Sequence, residues 1–95
     1  MRILFKAKVW IYPGNGAWHF VTLDKTNGLK VKKHQEGKLR RGWGAVKVEV
    51  RLGKSSWATS IFPVKDGTYL LPIKSEIRKK EGVFDTDVVS IKIEI

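Results

Sequence analysis

"LPIKSEIRKKEGVFDTDVVSIKI" spans Leu71–Ile93, and its reading decides the fold of the whole chain. It parses as a strand ending at Pro72, a short basic helix, a turn and a closing strand. Pro72 sits near the strand end, where a missing ladder donor costs little. In the helix, Ser75 fits the N-cap, Glu76 and Lys80 stand four apart, and Gly82 suits the position just past the end. Asp85 and Asp87 mark the turn. Val89, Ile91, Ile93 and Ile95 then share one face of the last strand. Such an ending suits the half-barrel of a DNA-binding regulator. It equally suits the closing segment of a small barrel that reads no DNA.

Upstream, a two-residue period dominates. In "RILFKAKVWI" and the next residue, Ile3, Phe5, Ala7, Val9 and Ile11 fall on one face. Arg2, Lys6, Lys8 and Trp10 fall on the other, with Leu4 as the exception. "YPGNG" is a hairpin loop, because Pro13 fixes one φ and Gly14 and Gly16 accept positive φ. "AWHFVTL", Ala17 to Leu23, is a second strand with two apolar faces, so its outside needs cover. The lysine-rich run that follows allows a short helix near Leu29 to Glu36, limited by Gly28 and Gly37. In "WGAVKVEVRL" the residues Gly44, Val46, Val48, Val50 and Leu52 oppose Trp43, Lys47, Glu49 and Arg51. "SSWATSIF" and "TYLLPI" complete six strands. Six one-sided strands must hide one apolar face, and an open sheet would leave two edges to aggregate. Closure removes the edges, so the expected fold is mainly β: a small closed six-stranded barrel with one or two short helices.

Ninety-five residues make one domain, 1–95. The absence of cysteine removes disulfides, thiolate nucleophiles and cysteine-bound zinc. No signal peptide and no membrane-length apolar run is visible, so a cytoplasmic location with no membrane contact is expected. The net charge of +10 is the strongest compositional signal. It draws polyanions such as RNA or DNA, although small basic proteins also carry charge for solubility alone.

"GAWHFVTL", "GWGAVKVEVRLGKSSWATSIFP" and "YLLPIKSEIRKKEGV" together resemble the family catalogued as domain of unknown function 1905. The likeness runs from Phe5 to Ile95. Its pieces are Trp18 with Phe20, the glycine-led valine strand, Thr59-Ser60 before Phe62-Pro63, and Tyr69-Leu71-Pro72 leading to Arg78. The resemblance implies a closed six-stranded Greek-key barrel, usually bacterial, with no established activity. Two positions depart from the pattern. Asp24 stands where similar sequences place proline, and Thr86-Asp87 stands where they read Gly-Asp. Threonine resists positive φ, so the last turn is expected to differ in type. The tail also resembles AbrB-like regulators through Pro72, Ile77, Arg78, Gly82, Val83 and Asp87 in order. That resemblance implies a DNA-binding dimer. The spacing from proline to Ile-Arg is longer here, and the monomer is the favoured state.

Catalytic constellations are thin. His19 and His34 are the only histidines, too few for a zinc site, so no metal and no cofactor is expected. Ser60, His19 and Asp87 do not lie in a nucleophile elbow. Asp85 and Asp87 read as caps for turn amides. Enzyme activity is therefore not the favoured reading. Between Lys25 and Lys54 lie ten cations against two carboxylates, a net +8. Within it Lys32, Lys33, Arg40, Arg41, Trp43, Lys47 and Arg51 form the candidate nucleic-acid-binding set. Aromatic rings among cations on a sheet are what single-strand binding uses, and Trp10 with Lys6 and Lys8 repeats that pattern. The plainer reading is that Trp10 and Trp43 seal barrel ends beneath the lysine segment. The alternative is a small-molecule pocket or an enzyme site at a barrel mouth, near Ser60, Tyr69 and Arg78. The leading expectation is a non-catalytic binding module.

Overall fold

A computed structural model describes residues 1–14, 16–36 and 44–95. The strands are β1 (Arg2–Lys8), β2 (Trp10–Ile11), β3 (His19–Leu23), β4 (Val46–Leu52), β5 (Ser55–Pro63), β6 (Tyr69–Pro72) and β7 (Val88–Glu94). Helix α1 (Lys25–His34) joins β3 to the segment before β4, and α2 (Ser75–Glu81) joins β6 to β7. The predicted alternation holds in β4, where Val46, Val48, Val50 and Leu52 are buried and Lys47, Glu49 and Arg51 are exposed. It holds in β7, where Ile91 and Ile93 are buried.

All pairings are antiparallel, in the order β1-β7-β4-β5-β6-β3-β2. β1 and β2 are one run of chain broken at Val9, so the two ends of that order meet and the sheet is a nearly closed barrel. The expected first strand is thus counted twice, which makes seven strands of six. β4, β5 and β6 follow one another, with β3 beside β6 and β7 beside β4, giving two overlapping Greek keys. The AbrB-like reading would require a second chain to complete a half-barrel. Here β1 to β7 and β2 to β3 pair within one chain.

Val9 is the hand-over point and is fully buried. Its N–H donates to the Asp87 carbonyl at 2.8 Å, and its carbonyl accepts the Thr86 N–H at 2.8 Å. Ile11 departs from the expected inner face and is 40% exposed. The β2–β3 pairing ends there, opposite His19, so Ile11 stands on the rim.

The helices close opposite ends. α1 starts four residues before the expected Leu29 and runs through Gly28. Glycine weakens a helix by about 1 kcal/mol, but here it is required by packing. A Cβ on Gly28 would run into the Gly67 carbonyl oxygen and lie 3.3 Å from the Tyr69 ring. Asp24 holds the N-cap position of α1 at φ −63°, an angle that a proline ring also adopts, and its side chain makes no capping hydrogen bond. Val31 carries α1 into the core. At the other end Ile77 does the same for α2. Lys74, rather than Ser75, holds the N-cap position, and Gly82 ends the helix at φ 63°. Glu81 then grips the β4–β5 turn, accepting the Ser55 hydroxyl at 2.6 Å and the Lys54 N–H at 3.4 Å. In the β5–β6 turn, the Thr68 hydroxyl at 2.6 Å and its N–H at 2.9 Å hold the Asp66 carboxyl below the ordinary carboxylate range.

The last turn keeps a left-handed residue despite its sequence. Thr86 adopts φ 74° because its N–H is committed to Val9. The Asp87 carboxylate completes the turn by accepting the Phe84 N–H at 2.8 Å. A β-branched residue pays roughly 1–2 kcal/mol for that conformation, and glycine pays part of it back as lost unfolded-state entropy. Thr86→Gly therefore stabilises the fold by about 0.5–1 kcal/mol, raising Tm by about 2–8 °C in a thermal melt. A lowered Tm contradicts the strain.

Candidate polyanion-binding face

Register places charges in rows on the outer wall. β1 pairs with β7 and β7 with β4, so three outward rows cross these strands. The first holds Arg2, Glu94 and Glu49, and the Arg2 guanidinium lies 3.4 Å from the Glu94 carboxylate. The second holds Leu4, Lys92 and Arg51. Lys92 and Arg51 are direct cross-strand partners. The third holds Lys6 opposite Ser90. Leu4, Lys6, Arg51, Ser90 and Lys92 line an open trough of about 540 Å³ with no carboxylate in its lining. Like charges directly opposite one another destabilise a sheet, and this wall carries two such pairs side by side, Lys92–Arg51 and Glu94–Glu49.

The strand that supplies Lys6 continues into an aromatic cluster. Lys6, Lys8 and Trp10 alternate outward along β1–β2, and Tyr12 extends the row, its N–H donating to the Trp18 carbonyl at 2.8 Å. Trp10 and Phe20 are cross-strand partners with ring centroids 5.3 Å apart. Tyr12 meets Phe20 edge-on at 6.1 Å, and Trp18 stacks on Phe20 at 6.2 Å and 14°. Trp10 lies half-buried on the outer wall, its indole N–H donating to the Thr22 hydroxyl at 2.9 Å. It does not seal a barrel end. Tyr12 and Trp18 are 52% and 59% exposed. The expected cover for the outside of the second strand is therefore this set of rings, two of which remain open to solvent.

The candidate residues divide. Arg51 joins the trough. Lys47 points outward four residues earlier on β4, about 13 Å along the strand. Lys32 and Lys33 are exposed on α1, at the barrel end opposite α2. Arg40, Arg41 and Trp43 lie outside the described residues. Ser60 is the cross-strand partner of Lys47 and, with Trp18 and Phe62, lines a second open trough of about 630 Å³. Tyr69 is buried against α1. The Arg78 Nε–H donates to the Ile73 carbonyl at 3.1 Å, and its Nη1 lies 3.5 Å from His19 Nε2. His19 Nδ1 faces the Ala17 carbonyl at 2.8 Å, and since a carbonyl only accepts, Nδ1 carries the hydrogen. None of the described depressions contains Ser60, Tyr69 and Arg78 together. Lys92 and Ser90 were not singled out by sequence. Their outward alternation was legible, but their placement opposite Arg51 and Lys6 depends on strand order.

Among the described residues no group of three or more His, Asp or Glu is placed to hold a metal ion. No described helix is long and apolar enough to cross a membrane.

A Greek-key barrel of this size, plugged by two short helices and cationic on one outer wall, defines a class of small β-barrel domains. Within that class the chain belongs to the family described as Domain of unknown function (DUF1905), whose family model matches residues 5–93. No curated protein matches the chain.

The Lys92–Arg51 pair makes a prediction about stability. Lys92→Gln raises stability by about 0.2–1 kcal/mol at low ionic strength, and the gain shrinks as salt screens the pair. Paired thermal melts at low and high salt measure it; destabilisation at both would contradict the repulsion.

Proposed function

We propose that this barrel is a non-catalytic binding module that takes nucleic acid on its outer wall. The observation that carries the reading is the trough lined by Lys6, Arg51, Lys92 and Ser90 with no carboxylate in the lining. Lys92 and Arg51 are a like-charge cross-strand pair, and a phosphate on the trough side would offset their repulsion where the Glu49–Glu94 row does not reach. The net charge of +10 extends the attraction beyond the trough. Lys32, Lys33 and Lys47 add cations elsewhere on the surface, as long-range attraction rather than as part of one contact. A phosphate backbone engaged by Z cations releases about Z counter-ions, so affinity falls steeply with salt.

A labelled 12-nucleotide RNA or DNA titrated by fluorescence anisotropy tests this. Binding at micromolar protein and low salt is expected, with a log–log salt slope of about −0.7 to −0.9 per phosphate contacted. Arg51→Gln with Lys92→Gln should lower the slope by about 2 phosphate equivalents. No binding at low salt overturns the reading.

A further inference from the structure

We infer that the ligand is single-stranded, and that the Tyr12–Trp18 aromatic platform takes its bases, with one base seated in the cleft that Trp18 overhangs. The inference rests on the nucleic-acid reading and names the substrate form.

Three observations converge. First, the cations and the rings lie on one track. Lys6 and Lys8 lead along the same strand to Trp10 and Tyr12, and Trp18 stacks on the neighbouring Phe20. A backbone held at Lys6 and Lys8 runs along the same strand toward Trp10 and Tyr12, while Trp18 borders the second trough, whose lining holds Lys47 with Glu49 and Glu94. Second, those rings are open. Large apolar groups exposed side by side mark an interaction surface, and Trp18 and Tyr12 expose more than half their area. A duplex keeps its base faces stacked inside and offers them nothing, whereas an unpaired base has a π-face to stack. Third, the barrel wall has a seam beside Trp18. β5 pairs with β6 only at Phe62–Leu70 and Pro63–Tyr69, and Pro72 has no N–H to extend the ladder. Where the strands part there is a cleft of about 150 Å³, lined by Trp18, Trp57, Ala58, Thr59, Pro72 and Lys74 among others. Sites for drug-sized molecules start near 300 Å³, so this one suits a single flat ring. Lys74 also lines the cleft, and its ammonium is paired with the exposed Glu76 carboxylate at 3.7 Å.

The test compares three 12-mers of equal length: a single strand, a duplex, and an abasic single strand. Each is titrated against the wild-type protein, Trp18→Ala, and Arg51→Gln with Lys92→Gln. The expected order of affinity is single strand, then duplex and abasic strand. Trp18→Ala should weaken the single strand by about ten-fold and leave its salt slope and the abasic affinity unchanged. Trp18 is exposed, so the variant folds; a thermal melt on the same sample establishes this. A 2-aminopurine base in the single strand should lose fluorescence on binding the wild type and recover it with Ala58→Leu, which fills the cleft. Equal affinity for duplex and single strand, or an unchanged affinity in Trp18→Ala, overturns the inference while leaving the nucleic-acid reading intact. Absence of binding to all three strands overturns both. Loss of self-association in Trp18→Ala, with no oligonucleotide bound, assigns the platform to a second copy of this chain and also overturns it.

Discussion

The break at Val9 is the constraint on which the rest of the structure depends. One buried residue ends the pairing of the first strand with β7 and begins its pairing with β3. Its two backbone hydrogen bonds to the Thr86–Asp87 turn hold that switch in place. The same break closes the barrel and carries the outer alternation on from cations to aromatic rings. Lys6 and Lys8 therefore share a wall with Trp10 and Tyr12. The left-handed Thr86 is accepted because closing the sheet gains more than one strained residue loses.

What was legible follows from range. Strand faces are set by local alternation, and the inward set of β4, Val46 through Leu52, is buried as read. The end of α2 at Gly82 is equally local. The start of α1 was not legible, because helix propensity counts Gly28 as a breaker. The reason for that glycine is the Gly67 carbonyl, 39 positions away in sequence and adjacent in space. Ile11 was misplaced for a related reason: period-two alternation carries no information about where a strand leaves the sheet.

The candidate site was legible only in part. The cationic bias and the shared face of Lys6, Lys8 and Trp10 can be read from the chain. The pairing of Lys92 with Arg51 cannot, because it depends on β7 lying between β1 and β4, two strands far from it in sequence. Counting charge along the chain favoured the lysine-rich segment around α1. Register across the sheet instead gathers cations from three separate strands. Electrostatic sites on a sheet form across strands, and a linear scan finds them only when neighbours in sequence are also neighbours in the sheet.

Backbone amide NMR during titration with an unlabelled single-stranded 12-mer tests the central claim most directly. The account predicts that the largest shifts fall on Lys6, Lys8, Trp10, Trp18, Arg51, Ser90 and Lys92, along one side of the barrel. Shifts confined to Lys30–Lys33 of α1, or spread evenly over all exposed lysines, would contradict it.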